Sequence, residues 1–143
     1  MIRIAEPGDL QAAAEIEKLS FEHPWSFEDL KKDFEDNPFS LFLVCEQDGQ
    51  IQAYADIWIM FENAQIARIA CKPEFRRQGL ARKLIEAAVE EARSREAENF
   101  SLEVRAGNKP AIALYEAMGF ILLHTAKNYY EGVEDALVMG LGI

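Results

Sequence analysis

The chain has 143 residues, of which 50% are hydrophobic and 28% are charged, with a formal net charge of -10. This composition is typical of a globular protein, and we expect a single domain over residues 1–143. The acidic balance argues against nucleic acid or an anionic membrane as a partner and would favour a basic one, although acidity also simply keeps a protein soluble.

No apolar run approaches the roughly 20 residues of a membrane span, and the first residues lack the apolar segment of a signal peptide. Cys45 and Cys71 lie inside apolar runs. This placement predicts buried free thiols in a reducing compartment, the cytoplasm. The two cysteines and two histidines show no zinc-finger spacing, so we expect no metal site.

The first half of the chain predicts a short strand, two helices and three longer strands. Pro7 suits the first turn of one helix, and Ser26 with Asp29 forms a capping box for the next. Asp48-Gly49 between two apolar runs predicts a tight hairpin. The predicted strands cover residues 1–5, 41–46, 51–60 and 65–71. The last three should form an antiparallel meander.

The second half predicts a long helix, a strand, a shorter helix and two final strands. Asn108 suits the cap of the shorter helix, which ends at Met118-Gly119. The strands cover residues 100–105, 120–125 and 135–141, with a polar loop between the last two. The long helix should bury a face of Ala81, Leu84, Ile85, Ala88, Val89 and Ala92. The strands at 65–71 and 100–105 are joined through a helix and should run parallel, within a mixed α/β sheet that carries helices on both faces.

The stretch Arg76-Arg77-Gln78-Gly79-Leu80-Ala81 joins the strand at 65–71 to the long helix. A helix start offers unpaired N–H groups and partial positive charge, which suit a phosphate, and Gly79 has no Cβ to block close approach. We interpret the stretch as a pyrophosphate cradle. The alternative is an ordinary basic helix start with a glycine in its turn. Walker and dinucleotide-binding loops are excluded, because their glycine and lysine spacings are missing.

Three linked motifs resemble the Gcn5-related N-acetyltransferase (GNAT) family. They are Ile69-Ala70-Cys71-Lys72-Pro73, the cradle, and Asn108-x-x-Ala111-x-x-Leu114-Tyr115-x-x-x-Gly119-Phe120. Ala81 stands where glycine is more usual, a substitution that the family pattern allows. Three further stretches resemble the branch that acetylates the N-terminal alanine of a ribosomal protein, namely Pro24-Trp25-Ser26, Leu102-Glu103-Val104-Arg105, and Asn128-Tyr129-Tyr130 with Glu134-Asp135-Ala136.

The resemblance implies acetyl-CoA as the acetyl donor and a mostly antiparallel sheet with a splayed parallel strand pair. The strand at 65–71 would carry a bulge and part from the strand at 100–105, opening a slot for the pantetheine arm. Asn108 would hydrogen-bond the cofactor as well as cap its helix. The implied cofactor-binding residues are Ile69, Ala70 and Cys71 for the arm, Arg77, Gln78, Gly79, Leu80, Ala81 and Arg82 for the pyrophosphate, and Asn108.

Two residues are candidates for the chemistry of amine acetylation. The resemblance implies Glu103 as the general base, acting directly or through a water. The residues alone favour a glutamate at the strand end that pairs with Arg105 or is solvated. The resemblance implies Tyr115 as the general acid that protonates the departing coenzyme A thiolate. The sequence pattern alone indicates a tyrosine on an amphipathic helix with its hydroxyl in water. Cys71 as a covalent nucleophile is a weaker alternative, because a thiol in an apolar strand is usually inert.

The resemblance implies a basic protein N-terminus as acceptor, that of ribosomal protein S18. Trp25, Tyr129 and Tyr130 would then line an acceptor slot. Two interpretations compete with this one. The chain could be a lysine or small-molecule acetyltransferase, or it could be a catalytically silent acyl-CoA-binding module.

Overall fold

A computed structural model describes all residues from 1 to 143, with one seven-stranded sheet and four α-helices. The helices are α1 (Leu10–Ser20), α2 (Phe27–Asp36), α3 (Leu80–Ser94) and α4 (Lys109–Ala117). The strands are β1 (Ile2–Ile4), β2 (Ser40–Gln47), β3 (Gln50–Met60), β4 (Asn63–Cys71), β5 (Asn99–Arg105), β6 (Ile121–Tyr130) and β7 (Glu134–Gly142). None of the helices is both long enough and apolar enough to cross a membrane.

The strand order is β1-β2-β3-β4-β5-β7-β6, and only β4 and β5 run parallel. The predicted mixed, mostly antiparallel sheet is therefore confirmed, as is the meander of β2, β3 and β4. Asp48 and Gly49 both have positive φ, 53° and 76°, in the hairpin turn between β2 and β3. Ser26 Oγ accepts from the Asp29 N–H at 3.1 Å, and Asp29 Oδ2 accepts from the Ser26 N–H at 3.0 Å, so the capping box forms.

Alternate residues of the central strands face two separate hydrophobic layers. In β2, Leu41, Leu43 and Cys45 face the layer that contains α3. Phe42 and Val44 face the layer that contains α1 and α2. Helices therefore cover both faces, as the period-2 pattern of the strands requires. In α3 the predicted buried stripe is right except at its start, where Leu80 is buried and Ala81 is only half-buried.

The parallel pair β4 and β5 separates after three residue pairs. Asn63, Ala64 and Gln65 pair with Asn99, Phe100 and Ser101, and no pairing continues beyond Ser101. On its other side β4 stays paired with β3, with a register shift that leaves Ala67 as the extra residue. Such a bulge bends a strand and increases its twist. The splay and the bulge thus confirm the slot that the family resemblance implied.

The C-terminal hairpin is longer than the apolar pattern predicts. The expected polar loop between residues 125 and 135 is mostly strand, because β6 continues to Tyr130 and β7 begins at Glu134. Tyr129 and Tyr130 therefore lie on a strand and not in a loop. The apolar pattern misses this segment because β6 is an edge strand with little buried side-chain surface, so its ladder with β7 needs no apolar alternation.

Candidate active site

The space opened by the splay is a cavity of about 940 Å³ between β4 and β5. One wall comes from the end of α1 and the segment that follows it, which includes Phe21 and Trp25. The other comes from the end of the β6–β7 hairpin, with Tyr129 and Tyr130. Glu103, Asn108 and Tyr115 also line it. The residues predicted for catalysis and for the acceptor therefore share one cavity with Ile69 and Asn108 of the predicted cofactor site, whereas the predicted cofactor residues from 70 to 82 do not line it.

The cradle has the backbone geometry of an anion-binding turn. Arg77 and Gly79 have φ values of +64° and +78°, and α3 begins at Leu80 immediately afterwards. No heavy atom lies within 4 Å of where a Gly79 Cβ would be, so the approach to the backbone is open. Arg76 Nε donates to the Cys71 carbonyl at 3.2 Å and Nη2 donates to Ser20 Oγ at 3.1 Å, which ties the turn to β4 and to α1.

Residues 69–71 use only one edge of β4 for sheet pairing. Ile69, Ala70 and Cys71 pair with residues of β3, and their other edge faces the region where β5 has departed. An open strand edge can accept an extended ligand as an added strand. Burial raises the pKa of the Cys71 thiol, so it stays protonated at neutral pH, which argues against a nucleophilic role.

Glu103 lies on the open face of β5. Phe100, Leu102 and Val104 are buried, while Glu103 points the other way and is exposed. The alternative partner Arg105 is engaged elsewhere, with Glu131 at 3.1 Å and Glu134 at 3.0 Å. Glu103 itself forms no ion pair. Its carboxylate therefore lines the cavity without a charged partner.

Tyr115 lies in the second turn of α4 and is buried. Burial, reinforced by Cys71 and Tyr130, raises the pKa of the Tyr115 hydroxyl to about 12. The group is thus protonated at neutral pH, which is the state that an acid requires. Asn108 Oδ1 accepts from the Ala111 N–H at 3.4 Å, so the helix-cap role of Asn108 is present in the structure.

The hairpin wall is an ordered aromatic surface. The rings of Tyr129 and Tyr130 pack edge to face with centroids 5.1 Å apart. The Arg105 guanidinium lies 4.1 Å from the Tyr130 ring centroid. Burial and the charge of Glu103 raise the pKa of Tyr130. Tyr115, Tyr130 and Glu103 all line the same cavity.

A buried ionic cluster behind the Trp25 wall was not predicted. Glu17 of α1 is completely buried, and both of its carboxylate oxygens contact Arg68 of β4. The available signal was a glutamate directly after Ile16, on the apolar stripe of α1. A charged side chain at a buried helical position needs a partner, and the sequence alone did not identify one.

The mouth of the cavity brings together Glu22, His23 and Glu131, whose ligand atoms lie within 4.8 Å of one another. All three are exposed, and His23 Nε2 lies 3.9 Å from Glu131 Oε1. Exposed acidic groups of this kind are common without a metal ion. The contact connects the two walls of the cavity.

Comparison with known proteins shows extensive similarity. The family described as Acetyltransferase (GNAT) family matches residues 10–120. A candidate ribosomal protein bS18-alanine N-acetyltransferase of Bacillus subtilis (strain 168) is 41% identical over 136 residues, covering 94% of this chain and 90% of that protein. The ribosomal protein bS18-alanine N-acetyltransferase of Escherichia coli (strain K12) is 38% identical over 143 residues, covering 96% and 94%. A crystal structure of the ribosomal-protein-S18-alanine N-acetyltransferase from Escherichia coli superposes with a TM-score of 0.92 at 36% identity, covering 100% of this chain and 93% of that one.

Proposed function

Because the chain belongs to the GNAT family and is an acetyl-CoA-dependent N-acetyltransferase, we propose that it is a single domain that acetylates the N-terminal α-amine of a protein. The proposed acceptor is the N-terminal alanine of ribosomal protein S18, the activity for which its RimI-type relatives are named. The observation that carries the proposal is the splay after Gln65 and Ser101, which opens a cavity that Glu103, Asn108 and Tyr115 line. Such an acceptor would be met in the cytoplasm.

The acetyl donor fits the open features of β4 and the start of α3. Backbone N–H groups of residues 77–82 would hold the pyrophosphate, since Gly79 leaves their approach open. The free edge of β4 at residues 69–71 would pair with the pantetheine arm, and Asn108 at the cavity edge would add a side-chain hydrogen bond. Bound acetyl-CoA supplies an activated acetyl group; every other requirement falls on the protein.

The chain must deprotonate the amine and supply a donor to the departing sulfur. A free α-amine has a pKa of about 8, so a carboxylate acting directly or through a water is a sufficient base near neutral pH. Glu103 fits this role because it faces the cavity and its neighbour Arg105 is held by Glu131 and Glu134. Tyr115 fits the acid role because burial keeps its hydroxyl protonated. We propose direct attack, without an enzyme-bound acyl group on Cys71.

The walls of the cavity support a narrow acceptor slot. Trp25 lies on one wall and Tyr129 and Tyr130 on the other, and aromatic walls favour a small first residue such as alanine or serine. The net charge of -10 favours a basic peptide downstream of that residue. Screening at physiological salt limits this bias to charges within about 8 Å.

The deciding experiment compares two peptides by mass spectrometry and initial rate. One begins Ala-Arg with a free amine; the other has the same sequence with a blocked amine and an internal lysine. We expect acetylation of the free peptide only. Acetylation of the blocked peptide, with none of the free one, would identify a lysine or small-amine acetyltransferase instead. Binding of acetyl-CoA with no transfer to any amine would identify a silent binding module.

A further inference from the structure

The carboxylate of Glu17 is completely buried and is neutralised by protein groups. Its oxygens accept from the Tyr54 hydroxyl, the Trp25 backbone N–H at 2.8 Å, and Arg68, whose Nη2 and Nε lie at 2.5 and 3.1 Å. An isolated carboxylate in such a place is strongly unfavourable, so its partners must stay in position. Of these partners, only Arg68 carries a compensating positive charge.

Arg68 connects the cofactor strand to the acceptor wall. It follows the bulge residue Ala67 on β4, and its guanidinium lies 4.1 Å from the Phe21 ring centroid and 5.0 Å from that of Trp25. Contacts of this type are favourable, and more so when the guanidinium is desolvated. Its side chain retains 19% exposure, and the residue lines the cavity. The guanidinium therefore forms part of the cavity surface.

Trp25 is held at two points by this cluster. Glu17 fixes its backbone N–H, and Arg68 lies against its ring. Loss of the Arg68 geometry would remove the ring contact and weaken the backbone contact, because the same guanidinium is the only charged partner of Glu17. The width of the slot on the Trp25 side thus depends on Arg68.

We propose that Arg68 is a positioning residue that sets acceptor specificity. It holds the Phe21 and Trp25 wall rigid, so that a small first residue fits and a larger one is rejected. The inference rests on the proposed function, because it concerns how that acceptor is selected. A rigid apolar wall discriminates a change of one or a few methylene groups by about 10- to 200-fold. A flexible wall would lose much of this discrimination between small and large first residues.

The test uses Arg68→Lys, which keeps the charge beside Glu17 but loses the planar fork and the stacking surface. Two peptides differ only in their first residue, alanine or leucine. We expect the ratio of their kcat/KM values to fall about tenfold in Arg68→Lys, with a higher KM and a similar kcat for the alanine peptide. The Kd for acetyl-CoA, measured by calorimetry, should change less than twofold. Arg93→Lys on the exposed side of α3, where Arg93 pairs with Glu90 at 3.3 Å, is the matched control.

If folded Arg68→Lys keeps the wild-type ratio of kcat/KM between the alanine and leucine peptides, Arg68 does not set acceptor specificity. This holds even if activity on both peptides falls equally, because a purely structural effect would act on both. If Arg68→Lys does not fold, Phe21→Leu removes one stacking surface and leaves the Glu17–Arg68 ion pair; the same narrowing of the ratio is expected, and its absence refutes the proposal. A wild-type protein inactive on both peptides would instead refute the proposed function. A wild-type protein that does not distinguish them would refute the role of Arg68 alone.

Discussion

Asp56 on β3 gives the protein a pH-dependent stability that a single substitution should remove. Asp56 is completely buried: Oδ1 accepts from Ser40 Oγ at 2.6 Å, and Oδ2 has no partner. Burial and the neighbouring Asp33 raise the pKa of Asp56 to about 9. Asp33 is the charged member, since Trp58 Nε1 and Asn37 Nδ2 donate to it at 2.9 and 3.0 Å.

The sign follows from proton uptake. In the unfolded chain Asp56 loses its proton near pH 4, whereas in the folded protein it keeps the proton to about pH 9. The stability that this group contributes is therefore fully present below about pH 4 and is lost as the pH rises toward 9. The slope is at most about 1.4 kcal/mol per pH unit, so the free energy of unfolding should fall by up to about 2.7 kcal/mol between pH 6 and pH 8.

Asp56→Asn places a neutral amide in the same volume, with an N–H that can donate to Asp33. We expect the variant to lose most of this slope and to exceed the wild type in stability at pH 8. Urea unfolding, followed by circular dichroism at pH 6, 7 and 8, measures the free energy of unfolding of both proteins. Asp36→Asn, at an exposed position on α2, corrects for the general effect of one negative charge fewer. If Asp56→Asn and wild type lose stability in parallel, Asp56 is ionised in the folded protein and the reasoning fails.

Three further predictions concern the active site. Gly79→Asp should weaken acetyl-CoA binding at least about tenfold by calorimetry, because a carboxylate would face the phosphates. The control Gly49→Asp, at a similar φ of 76° in a distant hairpin, should bind acetyl-CoA normally. Equal binding by both variants would show that the pyrophosphate does not bind at Gly79. Tyr115→Phe should lower kcat about a hundredfold with little change in acetyl-CoA Kd, and an unchanged kcat under rate-limiting chemistry would remove Tyr115 from the mechanism. Glu103→Gln should lower kcat/KM strongly at pH 7 and less at pH 9, where the amine is already neutral; a deficit independent of pH would argue against a base.

The sequence by itself determined the elements whose causes are local. Asp48-Gly49, the Ser26–Asp29 capping box and the Asn108 cap each act within four residues, and all form where they were predicted. The alternating strands determined that helices cover both faces. The family motifs led to the cradle, the splay and the bulge. The end of β6 could not be predicted in this way, because Tyr129 and Tyr130 become strand through their pairing toward β7, not through a burial pattern of their own.

Only the tertiary structure decided which charged groups are free and which are held. Arg105 is two residues from Glu103, yet it pairs with Glu131 and Glu134 of the β6–β7 hairpin. Glu17 and Arg68 are 51 residues apart, and the packing of α1 across β4 makes them partners. An ion pair depends on distance and desolvation at one point in space, and sequence spacing reports neither for residues on different elements. The unpaired carboxylate of Glu103 and the Glu17–Arg68 pair are therefore products of the fold.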